Sequence, residues 1–373
     1  MNNKLKNKTK TALILFLFLI LSAFPLNAKI LMTPYLQGVT TSSIYIMVAT
    51  DSKNDVLVKY SKENEQKTIS EKTTFYILAN EKSNVYVHRI LLKKLESATT
   101  YKYEVFNGNG QTYAGTFTTA PKENRNFKFA VMGDCRSNPN IHAAISKEIR
   151  KQSPMFAIYT GDLCHDGKFN SWKNEFFVPE ELALISNVPF FNAVGNHEFG
   201  TNSTAAFMQA PEGTNSGSKY YFSFDYSDIH IIILNSQESL KKGSPQYNFA
   251  YNDLKNSNKK WKIAAIHQPI YCSGGHGNNP ALYDLANDIF DHFGVNLVLS
   301  GHSHFYQRNV VNGVTFLIIA GGGAPLYSPK KANYTIKTDK VYNYGIVEAS
   351  PIALHVIVYD INGNIIDDFE LSK

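Results

Sequence analysis

The sequence predicts an α/β core preceded by a small all-β sandwich, and three observations carry that prediction. The chain has 373 residues, more than the roughly 250–300 at which a single hydrophobic core stops growing, so two domains are expected. Residues 30–120 read as strands only, with turn residues between short apolar-polar alternations. From Phe127 onward strands alternate with helical stretches, the rhythm of a sheet buried on both faces. Apolar residues make up 43% and charged residues 18%, which excludes a disordered chain, and the 13% of aromatics favours β-structure.

The first 28 residues stand apart. "MNNKLKNKTK" carries four lysines and no acid, "TALILFLFLIL" is a short apolar run, and "SAFPLNA" ends in a small residue. This is the layout of a secretory signal cleaved after Ala28, and the run is short for the ~20 residues that span a bilayer. Export to the periplasm, the cell surface or the medium is therefore expected. No cysteine lies near the cleavage site to take a lipid. Removal of Lys4, Lys6, Lys8 and Lys10 lowers the formal charge from +6 to +2, so the basic character gives no support to nucleic-acid binding. No membrane partner is expected once the leader is gone.

In the first half, "SSIYIMVAT", "DVLVKYS", "VYVHRILL", "TTYKYEVFN" and "TYAGTFTTA" are the expected strands. Tyr101, Tyr103 and Val105 alternate with Lys102 and Glu104, the period of a half-buried strand. The stretch "LESATTY" resembles the turn of fibronectin type III domains through Leu95, Thr99 and Tyr101, with Ser97 where that family usually has Pro. Tyr101 is expected to make the corner hydrogen bond of such sandwiches. "APKENRN" at 120–126 reads as a linker. His88 is the only histidine before it and sits within a strand.

In the second half, "FKFAVMGD" and "MFAIYTGD" are strands that end in acid, and "FFNAVGNHE", "KIAAIHQP" and "NLVLSGHSH" end in amide or imidazole. Between the first two, Asn138 is a candidate N-cap with Pro139 at the first helical position, and Ile141, Ile145 and Ile149 repeat at helical spacing. The end of the chain reads as closing strands with a turn at Asn362-Gly363. Three cysteines, Cys135, Cys164 and Cys272, are an odd number for an exported protein, and a Cys135–Cys164 bridge requires their strands to be neighbours.

Five apolar strands thus stop at Asp134, Asp162, Asn196-His197, His267 and His302/His304. One histidine at a strand end is ordinarily a hydrogen-bonded core residue. Five such ends are not explained that way, because unpartnered buried polar groups cost several kcal/mol each. Sites in α/β sheets form beyond the carboxyl ends of strands, and carboxylate, imidazole and amide oxygen together form a ligand set for zinc, manganese or iron. Two aspartates and several histidines exceed the needs of one ion, so a two-metal site follows. Residues i and i+2 of an extended strand point to one side about 6.6 Å apart, so His302 and His304 can each hold a different ion of a pair about 3.5–4 Å apart. Gly301 between the strand and these residues permits a sharp exit.

Taken in order, "GDCR", "GDLCHDG", "GNHE", "AAIHQP" and "GHSH" resemble the motifs of the calcineurin-like metallophosphoesterase superfamily over residues 127–350. With the preceding sandwich, the layout is similar to that of the purple acid phosphatases. The resemblance implies a metallophosphoesterase β-sandwich core flanked by helices at 123–373, after a fibronectin type III-like sandwich at 29–122. It also implies two divalent metal ions (Fe, Zn or Mn). Asp134 and His304 would hold the first, Asp162 would bridge, and Asn196, His267 and His302 would hold the second. His197 would face substrate, as would His276, nine residues after His267; a plain loop histidine in a Gly-rich segment is the alternative for His276. Many superfamily members have His two residues after the first Asp, where this chain has Arg136. Purple acid phosphatases have Tyr three residues after the second Asp, where this chain has His165. His165 would fill the vacant ligand place, with Asp166 as competitor. Arg136 would either contact substrate phosphate through its fork of donors or pair with Asp166. Without that tyrosinate, two divalent ions and no colour are expected, Tyr159 being the only nearby phenol.

The expected activity is hydrolysis of phosphate esters by a metal-bridging hydroxide, with His197 and His276 delivering a proton to the leaving group. A phosphomonoesterase is the first reading, a phosphodiesterase or nucleotide hydrolase the alternative, and a non-catalytic surface-binding protein the rival from another class. No "GxSxG" is present for a serine hydrolase. "IIAGGGAP" lacks the ending of a P-loop and reads as a tight turn. Oligomeric state is not legible.

Overall fold

The computed structural model describes residues 28–373 except 64, 66, 67, 81–83, 107–111 and 215; the expected leader lies outside the described residues. The half that follows residue 126 is built of four layers. In the strand Phe127–Met132, Phe129 and Val131 point to one face while Ala130 and Met132 point to the other, the two-residue period of a strand buried on both sides. It pairs in parallel with Phe156–Tyr159, which pairs in parallel with Phe190–Asn192. A second sheet holds Ile229–Leu234, Trp261–Ile266, Leu297–Ser300 and Val314–Ile319 side by side in parallel.

The two sheets pack face to face. Phe129, Val131, Phe156 and Ile158 share one core with Ile231, Ile233, Ile263, Leu297 and Leu299. The outer face of the first sheet is covered by Ile145, Ile149, Trp172, Phe176, Leu184 and Ile185. The outer face of the second meets Tyr247, Leu254, Leu285, Ile289 and Phe290. Helix Pro139–Lys151 starts as its sequence predicts, with the Asn138 side chain accepting from the Ile141 N–H and Pro at the start.

The N-terminal strands form a sandwich whose two layers have different fates. Strands Leu57–Lys62, Ile69–Lys72, Thr100–Phe106 and Thr112–Thr118 make a separate four-stranded sheet. The other layer, which includes Ile30–Gln37, Ser43–Thr50 and Val85–Lys93, continues into the sheet of Phe127–Met132 through the parallel pairing of Gln37 with Phe190. The result is a ten-stranded sheet shared by both halves, and the core runs on from Val58, Tyr103 and Phe117 to Phe129. The Tyr101 hydroxyl accepts from the Glu96 N–H at 2.9 Å, the expected corner hydrogen bond. The C-terminal strands Asn343–Ala349, Ala353–Asp360 and Ile365–Ser372 extend the same sheet beyond Phe127–Met132. The turn at Asn362-Gly363 closes on the Asp360 carboxylate, with Gly363 at φ 81°. Strands Phe127–Met132 and Phe156–Tyr159 are neighbours, yet Cys135, Cys164 and Cys272 are all free and buried. No helix among the described residues is long and apolar enough to cross a membrane.

Candidate metal centre

The polar strand ends converge at one end of the two packed sheets. Asp162, His267 and His302 bring ligand atoms within 4.8 Å of one another, and Asp134, Asp162 and His304 do the same. Asp162 belongs to both groups, as a bridging ligand would. Three of these residues have left-handed backbones, with φ 56° at Asp134, 53° at Asp162 and 68° at His302. Non-glycine residues adopt that region at a cost, and it collects at functional sites.

The exit after Leu297–Ser300 differs from the expectation in its cause. The strand ends at Ser300, so His302 and His304 lie in the following loop rather than on an extended strand. The sharp turn falls on His302, and its N–H donates to both Asp134 carboxylate oxygens at 3.0 and 2.9 Å. Gly301 is needed for space: a Cβ there would stand 2.5 Å from Asp134 Oδ2. Gly195 is crowded in the same way, 2.2 Å from Asp162 Oδ1.

Hydrogen bonds to carbonyls orient two of the imidazoles. His267 Nδ1–H donates to the Thr160 carbonyl at 2.8 Å, and His304 Nδ1–H to the Pro325 carbonyl at 2.8 Å. Each ring then directs Nε2 inward, the arrangement by which a backbone carbonyl aims a metal-binding histidine. His267 Nε2 faces Asn196 Oδ1 at 3.0 Å and Asp162 Oδ1 at 3.3 Å. His304 Nε2 faces Asp134 Oδ1 at 3.4 Å. When these rings are neutral their lone pairs meet the oxygens of Asn196, Asp162 and Asp134, an arrangement that a shared cation relieves. The donor set, O and N only, suits a divalent zinc, manganese or iron ion. Burial, and after it the neighbouring His267 and His276, lowers the His302 pKa to about 3, which keeps its ring in the ligand form.

The substrate-facing candidates surround these donors. His197 is held by its own backbone N–H to Asp162 Oδ1 at 3.1 Å, and its Nδ1 bonds to the His165 carbonyl. Its Nε2 stands 3.8 Å from Asp162 Oδ2. His276 is exposed and stacks on His302 with ring centroids 4.0 Å apart. Tyr327, which the sequence gave no reason to single out, stacks on His304 at 4.3 Å and meets His276 edge-on at 5.3 Å. It follows the "GGG" turn, and only the fold reveals its place.

His165 is not brought into either donor group. Its side chain is exposed, and its ring lies 5.5 Å from that of His197. The residue at the vacant ligand place is Arg136, whose guanidinium lies 3.4 Å from Asp162 Oδ2 and 3.5 Å from His304 Nε2. Asp166 does not pair with Arg136; it binds Lys168 at 2.6 Å and Ser171 at 2.6 Å. Tyr159 turns to the other face of its sheet and donates to Glu181.

Residues 127–306 match the family model of calcineurin-like phosphoesterases. The chain is similar to a protein of Arabidopsis thaliana described as probable inactive purple acid phosphatase 1, with 22% identity over 77% of this chain and 58% of the relative. It is similar to purple acid phosphatase 1 of Ipomoea batatas, with 24% identity over 65% of this chain and 56% of the relative. The chain therefore spans somewhat over half the length of these relatives. The phosphoesterase fold extends to a solved purple acid phosphatase from yellow lupin, with TM-score 0.78, 18% identity, and coverage of 91% of this chain and 74% of that one.

Proposed function

We propose that the chain is an exported metal-dependent phosphoesterase that hydrolyses phosphate monoesters. The observation that carries this reading is the convergence of carboxylate, amide oxygen and imidazole donors on two adjoining points that share Asp162. Asp162, Asn196, His267 and His302 would hold one divalent ion, and Asp134, Asp162 and His304 the other. Bound there, the two ions would supply Lewis acidity toward a phosphoryl oxygen and a water of lowered pKa. His165 stands outside this ligand set. The division at residues 122 and 123 into a fibronectin type III-like sandwich and a catalytic domain belongs to the same reading.

The chain's own residues then orient and protonate. His197, with Nδ1 tied to a carbonyl, presents Nε2 beside Asp162, within reach of a departing alkoxide. His276, stacked on His302 and open to solvent, is placed to donate to the same group or to a phosphate oxygen. Arg136 offers a guanidinium fork that matches two phosphate oxygens. Tyr159, the phenol next to Asp162 in sequence, turns away from the donors to Glu181, so a colourless protein with divalent ions is expected.

The test is phosphate release from p-nitrophenyl phosphate and from bis(p-nitrophenyl) phosphate by the purified protein, with metal content measured on the same sample. Preference for the monoester and a spectrum without a visible band are expected. Faster turnover of the diester would reassign the substrate class. Absence of both activities in a metal-loaded protein would favour a binding role, the condition implied by the name of the Arabidopsis relative.

A further inference from the structure

The two donor groups are unequal, and the difference lies in Arg136. Around one point stand four donors: Asp162, Asn196, His267 and His302. Around the other stand three, Asp134, Asp162 and His304, and the guanidinium of Arg136 lies against two of them. Its NH2 group lies 3.5 Å from His304 Nε2, and its Nε–H faces Asp162 Oδ2 at 3.4 Å. A positive charge therefore already offsets the acceptors at the three-donor point.

The guanidinium is held there by the loop that carries it. The Arg136 N–H donates to the Asp162 carbonyl at 3.3 Å, and its own carbonyl accepts from the Asn138 N–H at 3.0 Å. The loop is bracketed by left-handed residues, Asp134 at φ 56° and Ser137 at φ 73°. Ser137 is fixed in turn by Glu175 Oε2, which accepts from its N–H at 2.8 Å, and its hydroxyl accepts from Arg136 NH1 at 3.2 Å. The side chain of Arg136 is only 13% exposed.

We propose that Arg136 is an internal counter-cation that makes the two metal positions differ in affinity. The four-donor position binds its ion tightly. The three-donor position binds weakly and exchanges, because an entering ion must displace the guanidinium from Asp162 and His304 and then endure its charge nearby. The displaced fork is left free to meet substrate phosphate. This inference rests on the metal-dependent reading above.

The experiment counts ions without reference to turnover. Full-length protein is stripped with a chelator, dialysed against graded free Mn²⁺, and its bound Mn²⁺ measured by electron paramagnetic resonance and elemental analysis. Wild type should retain one equivalent at a free Mn²⁺ concentration that leaves the second position largely empty. Arg136→Gln should tighten the second step about tenfold, the scale on which groups around a metal's ligands alter affinity. Arg136→Lys keeps the charge but not the fork and should fall between the two, which serves if the Gln variant folds poorly. Two equal, tight ions in wild type, or an unchanged second step in both variants, would overturn the inference while leaving the metal-dependent reading intact. No bound Mn²⁺ at all would overturn both.

Discussion

Tyr159 and Asp162 lie three residues apart at the end of one strand, and each enters a buried polar cluster. The clusters differ in whether they close. Tyr159 donates to Glu181, which also pairs with Ser146 at 2.7 Å, while Ser146 reaches the His142 carbonyl at 2.8 Å and His142 Nε2 the Phe176 carbonyl at 3.2 Å. Burial is the main cause that raises the Glu181 pKa to about 7, with bonds from Ser146 and Tyr159 opposing it. Ser146 has one hydroxyl hydrogen for two acceptors, so a proton on Glu181 completes the set. Within this cluster only His142 Nδ1 lacks a partner. Around Asp162, by contrast, a carboxylate and an amide oxygen converge on one imidazole nitrogen, so that with a neutral ring acceptors face acceptors. A buried cluster that closes on itself is architecture; one that leaves acceptors facing acceptors is waiting for a cation.

The largest effect expected from this contrast is at Asp162. Asp162→Ala removes the residue common to both donor groups, and His302→Ala removes a ligand of one. Each should cost more than the roughly 10–100-fold produced by changes around metal ligands, with loss of bound metal. Wild-type turnover at unchanged metal content in either variant would erase the distinction between the clusters.

The Glu181 cluster should affect stability instead. Its folded pKa lies above the unfolded value, so the unfolded chain releases its proton first as pH rises. Stability should therefore fall from about pH 4.5 to about 7 and level off above, a loss of about 3 kcal/mol from the 4.5-to-7 displacement. Glu181→Gln should flatten that part of the profile in urea unfolding while phosphate release per folded molecule stays that of wild type. A steep fall in activity would place the cluster in the catalytic machinery.

The smallest effect on chemistry is expected at His88, a buried imidazole outside both clusters. It is closed by Thr50 Oγ1 at 2.8 Å, the Ser52 carbonyl at 2.9 Å and Thr73 Oγ1 at 3.0 Å. His88→Ala should lower stability by about 1–3 kcal/mol, the cost of leaving buried partners unmet, and leave metal content and phosphate release unaltered. Loss of activity in a folded, metal-loaded variant would mean that the sandwich takes part in the reaction.

Much of the site was legible in the chain. Five apolar runs that stop in order at Asp, Asn or His singled out Asp134, Asp162, His267, His302 and His304, where one such end alone would have read as a core residue, and the fold brings their side chains together. The two rhythms before and after residue 120 foretold a sandwich and an α/β core. What the sequence could not state was which neighbour each polar group would meet. His165 sat at the right spacing for a ligand, yet spacing says nothing of the face a loop residue presents, and its ring points to solvent while Arg136 stands among the donors. Gly301 read as a hinge, but its role is to make room for Asp134, and the strained turn belongs to His302. Tyr327 carried no signal because stacking on His304 depends on a loop folding back across the sheet end. The continuity of the ten-stranded sheet was hidden for the same reason: the pairing of Gln37 with Phe190 joins residues far apart in sequence. Periodicity and residue chemistry are local and can be read along the chain, whereas charge pairing, crowding and register arise between segments that only the tertiary fold brings together.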